Sequence, residues 1–98
     1  MTFLFDRQIT AADFSGRIGK AFEVQVAGHQ LSLTLEACQD LPASKRAGGA
    51  FRLEFVGPTN PQLGQGVFPL VFGTDQYNLF IVPVGPSPRG MIYEAIFF

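Results

Sequence analysis

The amino-acid sequence predicts a mainly β domain: a small antiparallel β-sandwich or partly closed barrel of about six strands, with one short N-terminal helix. Three observations carry this expectation. Apolar and polar residues alternate over residues 22–26, 31–38 and 51–55, the period of strands with one buried face. Glycine and proline, 11 and 7 of the 98 residues, cluster between these runs, where turns need them. Finally, two apolar runs, residues 79–84 and 91–98, surround Gly85-Pro86-Ser87-Pro88-Arg89-Gly90, the pattern of a terminal β-hairpin.

In chain order, Thr10-Ala11-Ala12-Asp13 offers an N-cap with an acid three residues on, ahead of Phe14 and Ile18 at helical spacing. Gly16 and Gly19 keep that helix short. The clearest hairpin follows, turning at Ala27-Gly28-His29-Gln30. Its core face is Phe22, Val24, Val26, Leu31, Leu33 and Leu35, and its water face Glu23, Gln25, Ser32, Thr34 and Glu36. Residues 39–50, with Pro42, Lys45, Arg46, Gly48 and Gly49, are expected to be an exposed loop, and residues 51–55 a third strand. The ten-residue stretch 57–66 holds two prolines and three glycines, too many for a helix or sheet interior. Residues 67–72 read as a strand with Pro69 inside it, which places it at a sheet edge or a bulge.

A chain of this length forms one domain, residues 1–98, burying roughly 60–70% of its unfolded surface. Hydrophobic residues are 47% and charged residues 15% of the chain, and 11 of its aromatic residues are Phe, which favours a packed core over disorder. The net charge is −1 with basic residues scattered, so nucleic acid is not an expected partner. No run of 18 apolar residues occurs, so membrane insertion through a helix is not expected. The N-terminus lacks a basic region and a long apolar core, hence the protein is expected to be cytoplasmic as synthesised, with a place in a particle or extracellular fibre left open. The Phe97-Phe98 ending resembles outer-membrane barrel strands, but such a barrel needs at least eight strands of about ten residues.

Catalytic, cofactor and metal sites are not expected. His29 and Cys38 are the whole soft-ligand inventory, and carboxylates are dispersed along polar strand faces. His29 is an ordinary turn residue; its contact with Cys38 across the first hairpin is conceivable, though a strand-end thiol is the simpler reading. Gly64-Gln65-Gly66 lacks the lysine and following helix of a phosphate loop, so it is a turn. Glu94, between Ile92 and Ile96, is an acid in an apolar setting that calls for a partner such as Arg52 or Arg89; periodicity gives no reason to bring Glu54 or Glu36 to it.

The second half resembles a family of small uncharacterised bacterial proteins, a domain of unknown function about one hundred residues long. The matching stretches are Phe51-Arg52-Leu53-Glu54-Phe55-Val56-Gly57-Pro58, Leu63-Gly64-Gln65-Gly66, Leu79-Phe80-Ile81-Val82-Pro83-Val84-Gly85-Pro86 and Tyr93-Glu94-Ala95-Ile96-Phe97. Thr10-Ala11-Ala12-Asp13-Phe14, Gly19 and Phe22 add to them, while Phe98 stands where such chains carry a polar residue. The resemblance implies neighbourhood to phage-tail-collar-like fibre genes and an accessory or structural role.

The functional expectation is therefore a non-enzymatic interaction domain, pairing with itself as a homo-oligomer or filament, or with a fibre-like protein. The rival is a small barrel holding an apolar molecule. Both faces of the terminal hairpin are apolar, so Phe80, Val82, Ile92, Ile96 and Phe98 form a second face expected to be covered by residues 3–18 or by another chain.

Overall fold

The structure, a computed structural model, describes residues 9–26, 28–41 and 50–97. Helix α1 (Ala12–Ser15) precedes six strands: β1 (Ala21–Val26), β2 (His29–Leu41), β3 (Ala50–Gly57), β4 (Gly66–Phe72), β5 (Asp75–Ser87) and β6 (Gly90–Phe97). All pairings are antiparallel, and the order β1-β2-β3-β6-β5-β4 closes on itself as a barrel. Closure decides between the two architectures left open by pattern alone: there is one ring, not two stacked sheets. The ring is uneven. Strand β3 pairs along its length with β2 and β6, whereas β1 meets β4 through Glu23 and Val71 alone.

Inward residues follow the expected alternation. Phe22, Val24, Leu31, Leu33, Leu35, Leu53, Phe55, Leu79, Ile81 and Tyr93 are buried in a single core. Both ends of the barrel are stoppered. At one, Phe14 of α1 enters among Phe22, Phe51 and Tyr77, with ring centroids 5.9, 6.1 and 5.0 Å away. Of the expected capping box only the acid's half forms, Asp13 Oδ2 accepting the Thr10 amide at 2.8 Å, while Ala11 and not Thr10 stands at the N-cap, with no side-chain cap hydrogen bond. It is latched by Arg17, which donates to Asp75 Oδ2 at 2.8 Å and to the Tyr77 hydroxyl at 3.0 Å, and lies 4.5 Å over the Phe72 ring. Hydrogen bonding to Asp75 raises the pKa of this guanidinium. At the other end Leu63, from the loop 58–65, is buried, and its amide donates to the Tyr93 hydroxyl at 2.8 Å.

Three expectations need correction. Strand β2 runs on to Leu41, so Gln39, Asp40 and Leu41 are strand and not loop; a bulge at Glu36 resets the phase, turning Cys38 inward opposite Leu53. The 85–90 stretch is mostly strand as well: β5 continues to Ser87, leaving Pro88 and Arg89 as the turn. Prolines are tolerated there because residues 82–87 pair with β6 only, and β4 has already ended. The third correction concerns the N-terminal segment. Residues 9–18 plug the barrel end instead of lying over the outer face of the terminal hairpin, and residues 3–8 fall outside the described residues, as do the Lys45-Arg46 loop and Phe98.

Candidate functional site

The outer surface of β4, β5, β6 and β3 is where the predicted interaction residues lie. Inward Leu79, Ile81, Tyr93 and Ala95 alternate with outward Phe80, Val82, Ile92, Glu94 and Ile96. Phe80 is 51% and Ile96 42% exposed, while Val82 and Ile92 are half-buried. The β5–β6 ladder runs from Ser87 with Gly90 to Val82 with Glu94, and among the described residues it goes no further. Phe80 and Ile96 sit two residues beyond its last pair, one on each strand. They therefore flank a place where the backbones of β5 and β6 face each other without a ladder. On the far side of Phe80 stands Val67 of β4, its direct register partner, which is 65% exposed.

Ile92 is separated from this group by charge. Arg52 and Glu54 of β3 lie opposite Ile96 and Glu94 in register. Arg52 donates from Nε to Glu94 Oε2 at 2.6 Å and from Nη2 to Glu54 Oε2 at 2.7 Å. The side chains are about one-quarter exposed, at 24% and 27%. Hydrogen bonds to Glu54 first, and to Glu94 next, raise the Arg52 pKa. Arg52 thus supplies the partner that Glu94 called for. That Glu54 converges on the same arginine was not foreseen, because pairing of β3 with β6 joins residues about forty positions apart and leaves no local signature. Arg89, the other candidate, pairs with Glu36. Its hairpin tip leans across β3, where Gly90, at φ 140°, packs directly on the Gly57 carbonyl; any side chain there would collide with it. This lean accounts for the burial of Val56, an outward residue opposite Ile92.

His29 and Cys38 are not brought together. They stand nine positions apart on one strand, roughly 30 Å at the rise of extended chain. His29 is exposed. Cys38 lies under α1, with its Sγ 3.7 Å from the Ala11 carbonyl, and burial, then Asp40, pushes the thiol pKa up. Among the described residues no three His, Cys, Asp or Glu side chains gather where a metal ion could be held. No described helix is long and apolar enough to cross a membrane. Among the described residues, a cavity of about 430 Å³ opens over the β1–β4 seam, and another of about 120 Å³ beside Leu63, His29 and Val26.

Residues 9–97 match the family described as Domain of unknown function (DUF6916). The chain belongs to that family. No match was found among curated proteins or among solved structures. The match begins at Ile9, just before the Thr10–Asp13 hydrogen bond, and ends at Phe97, the last residue of β6, so the family's extent coincides with the plugged barrel.

Proposed function

We propose that this domain is a non-enzymatic interaction module, a subunit or accessory of a fibre-like or phage-tail-like assembly, which associates with copies of itself or with a fibre-like partner. The observation that carries the reading is the exposure of Phe80 and Ile96 where the ladder between β5 and β6 has ended, each strand being paired on its other side only, with Val67 extending the apolar row. Large apolar side chains beside unpaired strand edges are how β modules associate, the backbone giving affinity and the side chains register. The kind of assembly is taken from what the sequence resemblance implies, a neighbourhood of phage-tail-collar-like fibre genes. Against catalysis stands the pairing of the one suggestive acid, Glu94, with Arg52. Against an apolar ligand inside the barrel stands an interior occupied by side chains and stoppered by Phe14 and Leu63.

Sedimentation equilibrium tests the reading. The wild-type chain, alone or with a fibre-like partner, is expected to gain mass with concentration; Phe80→Asp and Ile96→Asp should remain folded, since both positions face outward, and stay monomeric. Variants that assemble as the wild type does would remove this face from the account.

A further inference from the structure

The weakest join of the barrel shapes a second surface, away from Phe80 and Ile96. The Leu35 amide donates to the Lys20 carbonyl, so in the β1–β2 register the alternate residues Phe22, Val24 and Val26 also direct their main-chain groups to β2, leaving those of Glu23 and Gln25 for β4. Glu23 pairs with Val71. In the same register Gln25 would next meet Pro69, which has no N–H to give its carbonyl, and there the ladder stops. Over this defect lies the cavity of about 430 Å³, lined by Glu23, Gln25, Gln30, Pro69, Val71 and Gln76.

Glu23 is held in place at this groove. Gln30 Nε2 donates to its Oε1 at 3.1 Å, and the Ser32 hydroxyl lies 2.9 and 2.8 Å from Oε1 and Oε2, sharing its single proton between them. A carboxylate has about four acceptor sites, so capacity remains. Among the described residues no Lys, Arg or His pairs with it, unlike Glu36, Glu54, Asp75 and Glu94. Pro69 and Val71 give the groove an apolar wall, and the amides of Gln25 and Gln76 stand at its sides.

The geometry points to a binding site for an aliphatic cation, an ammonium or guanidinium group on a hydrocarbon stem, with the charge on Glu23 and the stem along Pro69 and Val71. Two sources share this chemistry: a free alkylamine, or the lysine or arginine side chain of an extended partner segment. The site does not depend on the assembly face.

The test is an NMR titration of the full chain with n-butylammonium, with Nα-acetyl-lysine methylamide, and with n-butanol as the uncharged analogue. Expected are saturable shifts at Glu23, Gln25, Val71 and Gln76 with both cations, little response to butanol, and affinity falling about fivefold in Glu23→Gln, the value of a partly exposed charge pair of about 1 kcal/mol. Tighter binding of the lysine derivative assigns the site to a partner's side chain, and tighter binding of butylammonium to a free amine. Shifts of equal size with butanol, unchanged affinity in Glu23→Gln, or no saturable response would overturn the site. Glu23→Gln preserves size and hydrogen bonding at an outward position, and its thermal unfolding beside the wild type separates lost binding from lost fold.

Discussion

Leu53 shows how far a single residue can be read from its neighbours in sequence. It alternates with Arg52 and Glu54, and in the barrel it is fully buried between Cys38 on β2 and Ala95 on β6. Leu53→Ala should cost about 2–5 kcal/mol, as transfer and cavity terms add and a core fixed by two ladders cannot collapse. Urea unfolding measures it, and a cost under about 1 kcal/mol would contradict the packing described. Cys38 makes a prediction of opposite character. Burial keeps its thiol neutral, so its pKa in the folded state exceeds the ordinary 9.0. As pH rises past that value the unfolded chain loses the proton first, and the stability contributed by the neutral thiol declines through the folded pKa. Between pH 8 and pH 10.5 the wild type should therefore lose more stability than Cys38→Ala, measured by urea midpoint; parallel losses would mean that the thiol is solvated. Glu94 marks the limit of reading at this scale. Its need for an arginine was legible from Ile92 and Ile96 beside it, while the convergence of Glu54 depended on which strands are neighbours.

Among the elements, strands were legible wherever one phase held, and misread where a bulge changed it. Residues 31, 33 and 35 of β2 point inward, the bulge at Glu36 shifts the phase, and the rest of the strand then looks like loop. In β5 the register shift between Pro83 and Gly85 does the same, and prolines that mark turns elsewhere sit on a strand with one neighbour. Pro69 was legible as a residue at an edge or a bulge, and the barrel decides for the edge-like place: the side of β4 facing β1. Pro69→Val would restore the missing donor opposite Gln25. The added hydrogen bond is worth about 0.5–1.5 kcal/mol, and the loss of proline's restraint on the unfolded chain costs about 0.4–1 kcal/mol. These nearly cancel, so global stability should move by less than about 1 kcal/mol. The change to look for is local. The new amide at position 69 should exchange slowly with solvent, and the seam groove should bind alkylammonium less well; a fast-exchanging amide would show that something other than the absent N–H holds β1 and β4 apart.

At the scale of the whole molecule, the ring is a strong belt with two thin places. Strand β3 is paired on both sides, from Ala50 to Val56 with β2 and from Phe51 to Gly57 with β6, and it holds Phe51, Leu53 and Phe55 in the core. The β1–β4 seam has its single pair, and the β5–β6 ladder ends at Val82 and Glu94. Sequence could supply the strands but not this distribution, because closure depends on the order in which distant strands meet, and that order is fixed by the whole set of apolar faces at once. The distribution has an observable consequence. Opening either thin place exposes few ladder bonds, whereas freeing β3 breaks two ladders and the centre of the core, so local openings at the seams should lie well below global unfolding in free energy. Native-state hydrogen exchange on the monomer should find the amides of Arg52 to Val56 exchanging only through global unfolding, with denaturant dependence to match. The main-chain amides of Gln25, of Phe80 or its neighbour, and of Ile96 or its neighbour should exchange through small openings that denaturant hardly changes. At concentrations where the chain assembles, the amides around Phe80 and Ile96 should become protected and that of Gln25 should not. Protection appearing first at the β1–β4 seam would transfer the assembly role from the β5–β6 face to the seam.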